Sequence, residues 1–152
     1  MTVTTAIEAA RQDEVLRMLG LGNQFALGLY PPESCFLLDV SELEAPGIEV
    51  FVARNACASA AGMVALVDRG DGTGEIKRMF VLESARGFGV ARALLLRLEV
   101  RADELGIRLL QLETGTEHAA ALTLYTSMGY RRVPRFGAYI NSEFSVCMEK
   151  AI

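Results

Sequence analysis

The apolar positions of the chain change their period several times, and each change marks an element. From Ala6 to Leu29, the residues Ile7, Ala10, Val15, Leu16, Leu19 and Phe25 recur at roughly helical spacing. That pattern predicts an amphipathic helix whose register drifts or breaks near Gly20-Leu21-Gly22. Tyr30-Pro31-Pro32-Glu33-Ser34 must be non-helical, because a residue preceding proline avoids the helical region. A short second helical piece is expected between Ser34 and Glu44, closed by Pro46-Gly47. The period then changes. Ile48–Arg54 and Gly62–Val67 are rich in β-branched and aromatic residues and read as strands, with Asn55–Ser59 as their hairpin connection. Asp68–Gly74 is dense in turn residues, and Glu75–Leu82 reads as a third strand.

The clearest helix is Gly87 to Leu105, where Ala91, Leu94, Leu95, Leu98, Ala102 and Leu105 line one face. Gly106 stands where a left-handed C-cap belongs, and Leu109–Glu113 reads as the next strand. Strand, helix, strand at this spacing is a βαβ unit, so Glu75–Leu82 and Leu109–Glu113 should run parallel through a right-handed crossover. A helix from Ala119 to Met128, capped by Gly129, follows, and Arg131–Val133 and Phe144–Glu149 supply the last strands. The expected fold class is α+β, or mixed α/β: a largely antiparallel sheet with one parallel crossover, flanked by helices. No repeat or linker divides residues 1–152, so a single domain is expected.

Composition narrows the function classes. Hydrophobic residues make up 51% and charged residues 22% of the 152, enough for a packed core. The 15 basic and 19 acidic residues give a net charge of -4, which argues against a nucleic-acid partner held by bulk electrostatics. It argues equally against a polybasic membrane anchor. The longest charge-free runs, Met18–Pro32 and Asn55–Val67, fall short of the ~20 apolar residues of a spanning helix. The N-terminus lacks a basic region followed by an apolar stretch, so no signal peptide is expected. Cys35, Cys57 and Cys147 are odd in number and lack C-x-x-C spacing, which indicates neither a disulfide framework nor a zinc site. They read as small buried hydrophobes of a reducing cytoplasm, in a chain that needs no metal.

The most chemical segment is Arg86-Gly87-Phe88-Gly89-Val90-Ala91-Arg92, between a strand and the long helix. Glycines there let backbone approach a ligand closely, and the first amides of the helix have no internal partner. With the helix dipole they form a site for an anion such as a pyrophosphate, to which Arg86 and Arg92 can add charge-assisted hydrogen bonds. A Walker A loop fails for want of Gly-Lys-Ser/Thr, and the dinucleotide pattern G-x-G-x-x-G/A fails at Arg92. Arg/Gln-x-x-Gly-x-Gly/Ala is met by Arg86, Gly89 and Ala91. An ordinary glycine-containing turn would meet the same short pattern.

In its context this segment resembles the acetyl-CoA signature of the GNAT N-acetyltransferase superfamily. The order of elements along nearly the whole chain is similar to that family's. Glu113-Thr114-Gly115 and Ala121-Leu122-Thr123-Leu124-Tyr125-Thr126-Ser127-Met128-Gly129-Tyr130 resemble its second signature, A-x-x-L-Y-x-x-x-G-F/Y. Tyr30–Ser34, Phe136-Gly137-x-Tyr139 and Ser145-Val146-Cys147 are similar to segments of a subgroup of small bacterial-type members. The resemblance implies transfer of acetyl from acetyl-CoA to an amine by direct attack. Such a reaction needs a base for the amine, an acid for the departing thiolate and donors that polarise the thioester carbonyl.

By that resemblance Met79, Phe80 and Val81 would hold the pantetheine arm, with the Phe80 or Val81 amide as oxyanion donor, and residues 86–92 the pyrophosphate. Tyr125 would be the general acid, or else an aromatic packed against Leu122 and Met128. Period-two alternation places Glu75, Lys77, Met79 and Val81 on one face of their strand and Ile76, Arg78 and Phe80 on the other. Glu75 is the candidate base, or a strand-edge partner of Lys77 or Arg78. Glu113 would bind the amine, share the base role, or pair with Arg108 or Arg132. His118 stands where relatives carry an amide side chain that touches the cofactor, so that contact is in doubt. Tyr30, Glu33 and Ser34 would line the acceptor site, although a rigid turn with Ser34 as a helix cap fits as well. Arg131, Arg132 and Arg135 are read as a solvated face. The implied partner is a small, amino-acid-like amine, with a homodimer possible. The alternatives are a protein or peptide N-acetyltransferase and a non-catalytic acyl-CoA-binding regulatory module.

Overall fold

The computed structural model describes residues 1–152. Seven strands form one sheet: β1 (Thr4–Glu8), β2 (Ile48–Arg54), β3 (Ala60–Asp68), β4 (Thr73–Val81), β5 (Leu109–Gly115), β6 (Arg131–Val133) and β7 (Ser145–Ala151). Their spatial order is β1-β2-β3-β4-β5-β7-β6, and only β4 and β5 pair in parallel. Four helices accompany them: α1 (Asp13–Leu29), α2 (Val40–Leu43), α3 (Val90–Glu104) and α4 (Ala119–Ser127).

The unbroken apolar runs of β2 and β3 are explained by burial on both faces of the sheet. Phe51, Ala53, Val64 and Leu66 pack with Leu94, Leu95, Leu98 and Ala102 of α3. Val50, Val52, Met63 and Ala65 pack with Val15, Met18 and Leu19 of α1 and Leu43 of α2. α3 ends in Gly106 with φ +80, the left-handed conformation that glycine adopts without a Cβ penalty.

The helix expected from Ala6 begins only at Asp13. Thr4–Glu8 is an edge strand antiparallel to β2, fastened where the Arg54 guanidinium donates to Glu8 at 2.8 Å. Pairing with β2 outweighs the weak helical spacing of Ile7 and Ala10, a tertiary effect that local pattern does not carry. α1 runs unbroken through Gly20 and Gly22, and at Gly22 it packs against Phe80 and Arg78. Between Ser34 and Glu44 helix is confined to α2 and a 3-10 turn at Pro32–Ser34, and Asp39 caps α2 in a capping box with Glu42. Of the cysteines only Cys147 is buried; Cys57 lies exposed in the β2–β3 turn.

β4 departs from simple alternation. Lys77 pairs with Ala65 but Phe80 pairs with Met63, so β4 carries an extra residue there, and Arg78 has φ +58. This is a β-bulge. It leaves Glu75 and Lys77 on the α1 side and transfers Met79 and Val81 to the α3 side, where they pack with Ile76. The expected face of Met79 and Val81 is thereby corrected. Arg78 and Phe80 both turn toward α1, packing beside Gly22.

Candidate active site

β4 and β5 pair only from Thr73↔Leu109 to Ile76↔Leu112. Beyond that point they diverge, β5 continuing along β7 to Gly115↔Ser145. The facing edge of β4 from Lys77 to Val81 therefore has no strand partner. A cleft of about 720 Å³ opens in this gap, walled by α1, residues 34–37, β4, the turn before α3, the end of β5 and α4.

One end of the cleft is built from backbone. Gly87 and Gly89 have φ +83 and +78, and Gly89 is the N-cap of α3 with no side chain capping it. None of the amides from Gly87 to Arg92 donates to a protein acceptor; Ala93 is the first, to the Gly89 carbonyl at 3.0 Å. A Cβ at Gly87 or Gly89 would meet nothing within 4 Å, so the cradle is open. Arg86, Gly87, Gly89, Val90, Ala91 and Arg92 line the cleft; Phe88 is exposed beside it. The Arg86 Nε donates to the Val81 carbonyl at 3.1 Å, and its guanidinium lies over the rings of Phe25 and Phe80. His118 precedes α4, its ring 5.0 Å from that of Phe25, and burial with Arg86 nearby holds its pKa below the usual value.

Tyr125, on α4, lines the cleft. It is 5% exposed, packs edge-on to Tyr130 at 5.7 Å, and its hydroxyl has no protein partner. Burial raises its pKa well above that of an ordinary phenol, so it stays protonated. Tyr130 is itself fixed by its hydroxyl, which donates to Glu99 at 2.7 Å.

The other end is built from side chains. Glu113 lines the cleft, accepts from the Ser145 hydroxyl at 2.6 Å, and has its pKa raised by burial against the smaller opposing effects of Ser145 and Lys77. Lys77 also lines the cleft; its ammonium donates to the Phe36 carbonyl at 3.1 Å and to the Tyr139 hydroxyl at 2.8 Å. Desolvation lowers its pKa, opposed by Glu75 and Glu113. The Tyr139 hydroxyl donates to Glu75, which also takes the Arg69 guanidinium at 2.9 Å. Glu75 is therefore bound on both oxygens, and it is not one of the residues that line the cleft. Tyr30 lines it with its hydroxyl accepting from the Glu117 amide at 2.8 Å. Its ring crosses Gly115, where any Cβ would collide with it. Ser34 lines the cleft, and Glu33 is exposed outside it.

Sequence reasoning did not single out Lys77, Arg78, Tyr139 or Ser145. A visible signal was the adjacent pair Lys77-Arg78 inside a strand that is apolar from Met79 on. Tyr139 and Ser145 lie in segments quoted for their resemblance, but nothing local ties them to Glu75 and Glu113.

The profile of the family described as "Acetyltransferase (GNAT) domain" matches residues 46–132. The chain is 37% identical over 150 residues to an IAA acetyltransferase of Azospirillum brasilense, covering 99% of this chain and 98% of that protein. A crystal structure from Klebsiella pneumoniae subsp. pneumoniae, 29% identical, superposes with a TM-score of 0.87 over 98% of this chain and 97% of its own. The PaiA N-acetyltransferase of Thermoplasma acidophilum, solved in complex with coenzyme A, shares the fold at 15% identity, with a TM-score of 0.77 and both chains fully covered. Matched family profile, full-length likeness and the splayed β4–β5 cleft agree: this chain belongs to the GNAT acetyltransferase family and is an acyltransferase.

Proposed function

We propose that the cleft moves the acetyl group of acetyl-CoA to the primary amine of a small acceptor by direct attack. The observation that carries this reading is the set of groups lining one cleft: unpartnered amides at α3, the hydroxyl of Tyr125 without a protein partner, and a half-buried Glu113. The residues suit the cofactor. Free N–H groups of Gly87–Arg92 and the α3 dipole would take a pyrophosphate, with Arg92 adding charge. The unpaired β4 edge from Met79 to Val81 would hydrogen-bond the pantetheine arm, with the Phe80 or Val81 amide toward the carbonyl. His118 and the small residues Ala119, Ala120 and Ala121 would form the opposite wall.

Acetyl-CoA supplies an activated thioester when bound. Glu113 accepts a proton from the acceptor's ammonium, since burial raises its pKa toward that needed of a base near neutral pH. Tyr125 donates its hydroxyl proton to the departing sulfur. Glu75 is better suited to orient Tyr139 and Lys77 than to act as the base, because both its oxygens are engaged. Tyr30 and Ser34 shape the acceptor wall, and Glu33 lies outside it.

The test is thiol release from acetyl-CoA over a panel of amines, amino acids and peptides, with product mass confirming N-acetylation. Amine-stimulated release is expected, abolished or severely slowed in Glu113→Gln and retained in Glu75→Gln. If acetyl-CoA binds and no acceptor stimulates release, the chain is a binding module. If only peptides serve, the acceptor is a protein terminus.

A further inference from the structure

The β4 bulge does something to the cleft that the acetyl-transfer chemistry does not require. In a regular strand Lys77 and Arg78 would face opposite sides of the sheet. The extra residue and the positive φ of Arg78 turn both toward α1, and both line the cleft. Neither has a carboxylate within hydrogen-bonding distance. The Arg78 guanidinium donates to the Asn23 side-chain oxygen and the Leu19 carbonyl, each at 2.8 Å, and enters no ion pair. Burial alone depresses its pKa, with no acid opposing it. Two of the three N–H groups of Lys77 are taken by Phe36 and Tyr139; the nearest carboxylate, Glu75, is 3.8 Å away and already bound to Arg69 and Tyr139.

The acids that line the cleft are Glu113 and the exposed Glu117, and burial shifts Glu113 toward its neutral form. The acceptor end thus holds two largely desolvated cations, Lys77 with Glu75 at 3.8 Å and Arg78 with no acid, beside a single half-buried carboxylate, Glu113. Buried charges without counter-charges are costly, and a ligand that supplies the anion recovers that cost on binding. The remaining wall is mostly apolar, with Met18, Phe36, Met63 and Phe144 beside Tyr30 and Ser34.

Resting on the acetyl-transfer reading, we infer that the acceptor is an amino carboxylate with an apolar body, whose carboxylate is held by Lys77 and Arg78 while Glu113 receives its ammonium. An apolar α-amino acid has this chemistry. A bare amine leaves Arg78 without an anion and Lys77 with only the distant Glu75 carboxylate, and a peptide terminus places a neutral amide where the carboxylate would sit.

The experiment compares phenylalanine, leucine and methionine with their amides and their decarboxylated amines, using thiol release by the full chain. The free acids are expected to exceed both analogues in kcat/KM by about tenfold to a hundredfold, the span of one or two charge-assisted hydrogen bonds. The amides carry less basic amines, so near neutral pH a larger fraction of each is free base, which works against a preference for the acid. In Lys77→Met and Arg78→Gln the acid-to-amide ratio should fall toward one. The inference is overturned if wild type treats amide or amine as well as the acid, or if the ratio survives in both variants. Should no acceptor release thiol, calorimetric titration of phenylalanine and phenethylamine into the chain with coenzyme A separates the two claims. Selective binding of the acid, lost in Lys77→Met, upholds the carboxylate site while the transfer reading fails; equal or absent binding removes both.

Discussion

The two ends of the cleft are made by different means. At α3 the working groups are amides, set by two glycines in left-handed conformation and by a helix that starts without a side-chain cap. At the acceptor end they are the side chains of Glu113, Lys77, Tyr139 and Ser145, contributed by segments far apart in the chain and joined by hydrogen bonds. Backbone suits a ligand part that is the same in every turnover, because its geometry depends little on side-chain identity. Side chains suit the part where protons move and acceptors are distinguished, because their pKa values respond to burial and neighbours.

The largest effect should come from removing the proton acceptor. Glu113→Gln is expected to lower kcat roughly a hundredfold to ten-thousandfold. Burial raises the Glu113 pKa, so in wild type the rate should fall, as pH drops, at a pH above the ordinary carboxylate value of about 4.3. Below that point Glu113 is protonated and cannot accept a proton; the variant's profile should lose this limb. A limb that persists in Glu113→Gln and vanishes in Glu75→Gln would hand the role to Glu75.

Gly115→Ala sharpens the contrast from the packing side. Its Cβ collides with the Tyr30 ring, so Tyr30 must leave Gly115 and its bond to the Glu117 amide. Overpacking of this kind costs about 1–3 kcal/mol. Thermal unfolding should register it, and KM for the acceptor should rise more than KM for acetyl-CoA. Gly89→Ala does the reverse at the other end. Its Cβ meets no atom, so the cost is the left-handed backbone, about 1–2 kcal/mol, and the kinetic defect should fall on acetyl-CoA. Equal defects in both KM values for either variant would dissolve the distinction. Arg92→Gln should have the smallest effect, a several-fold rise in KM for acetyl-CoA that shrinks with added salt, since an exposed charge is screened.

The same contrast explains what was legible in the chain. The cradle is a local motif, so Arg86, Gly87, Gly89 and Ala91 could be read together with the helix they open. The βαβ crossover was equally readable, because the apolar stripe of α3 and Gly106 are strong local signals. β1 was not, since Thr4–Glu8 becomes a strand only by pairing with β2. The bulge in β4 left no glycine to mark it; Arg78 itself takes φ +58, with its guanidinium anchored on α1 at Leu19 and Asn23. Without the bulge, alternation assigned Met79 and Val81 to the wrong face. Glu75 pairs with Arg69 and Lys77 close by in the chain, but its hydrogen bond from Tyr139 comes from sixty-four residues away and leaves no local trace. Acceptor-end chemistry is assembled by tertiary contacts, and local sequence pattern does not carry them.

Tyr125 joins the two ends, and its hydroxyl is the group on which the account most depends. The direct measurement is the kcat of amine-dependent thiol release in Tyr125→Phe beside wild type, with the best acceptor and saturating acetyl-CoA. The account predicts a fall of about a hundredfold or more, the usual share of a positioned general acid. A kcat within about twofold of wild type, under an error far smaller than the effect a general acid should produce, would contradict it.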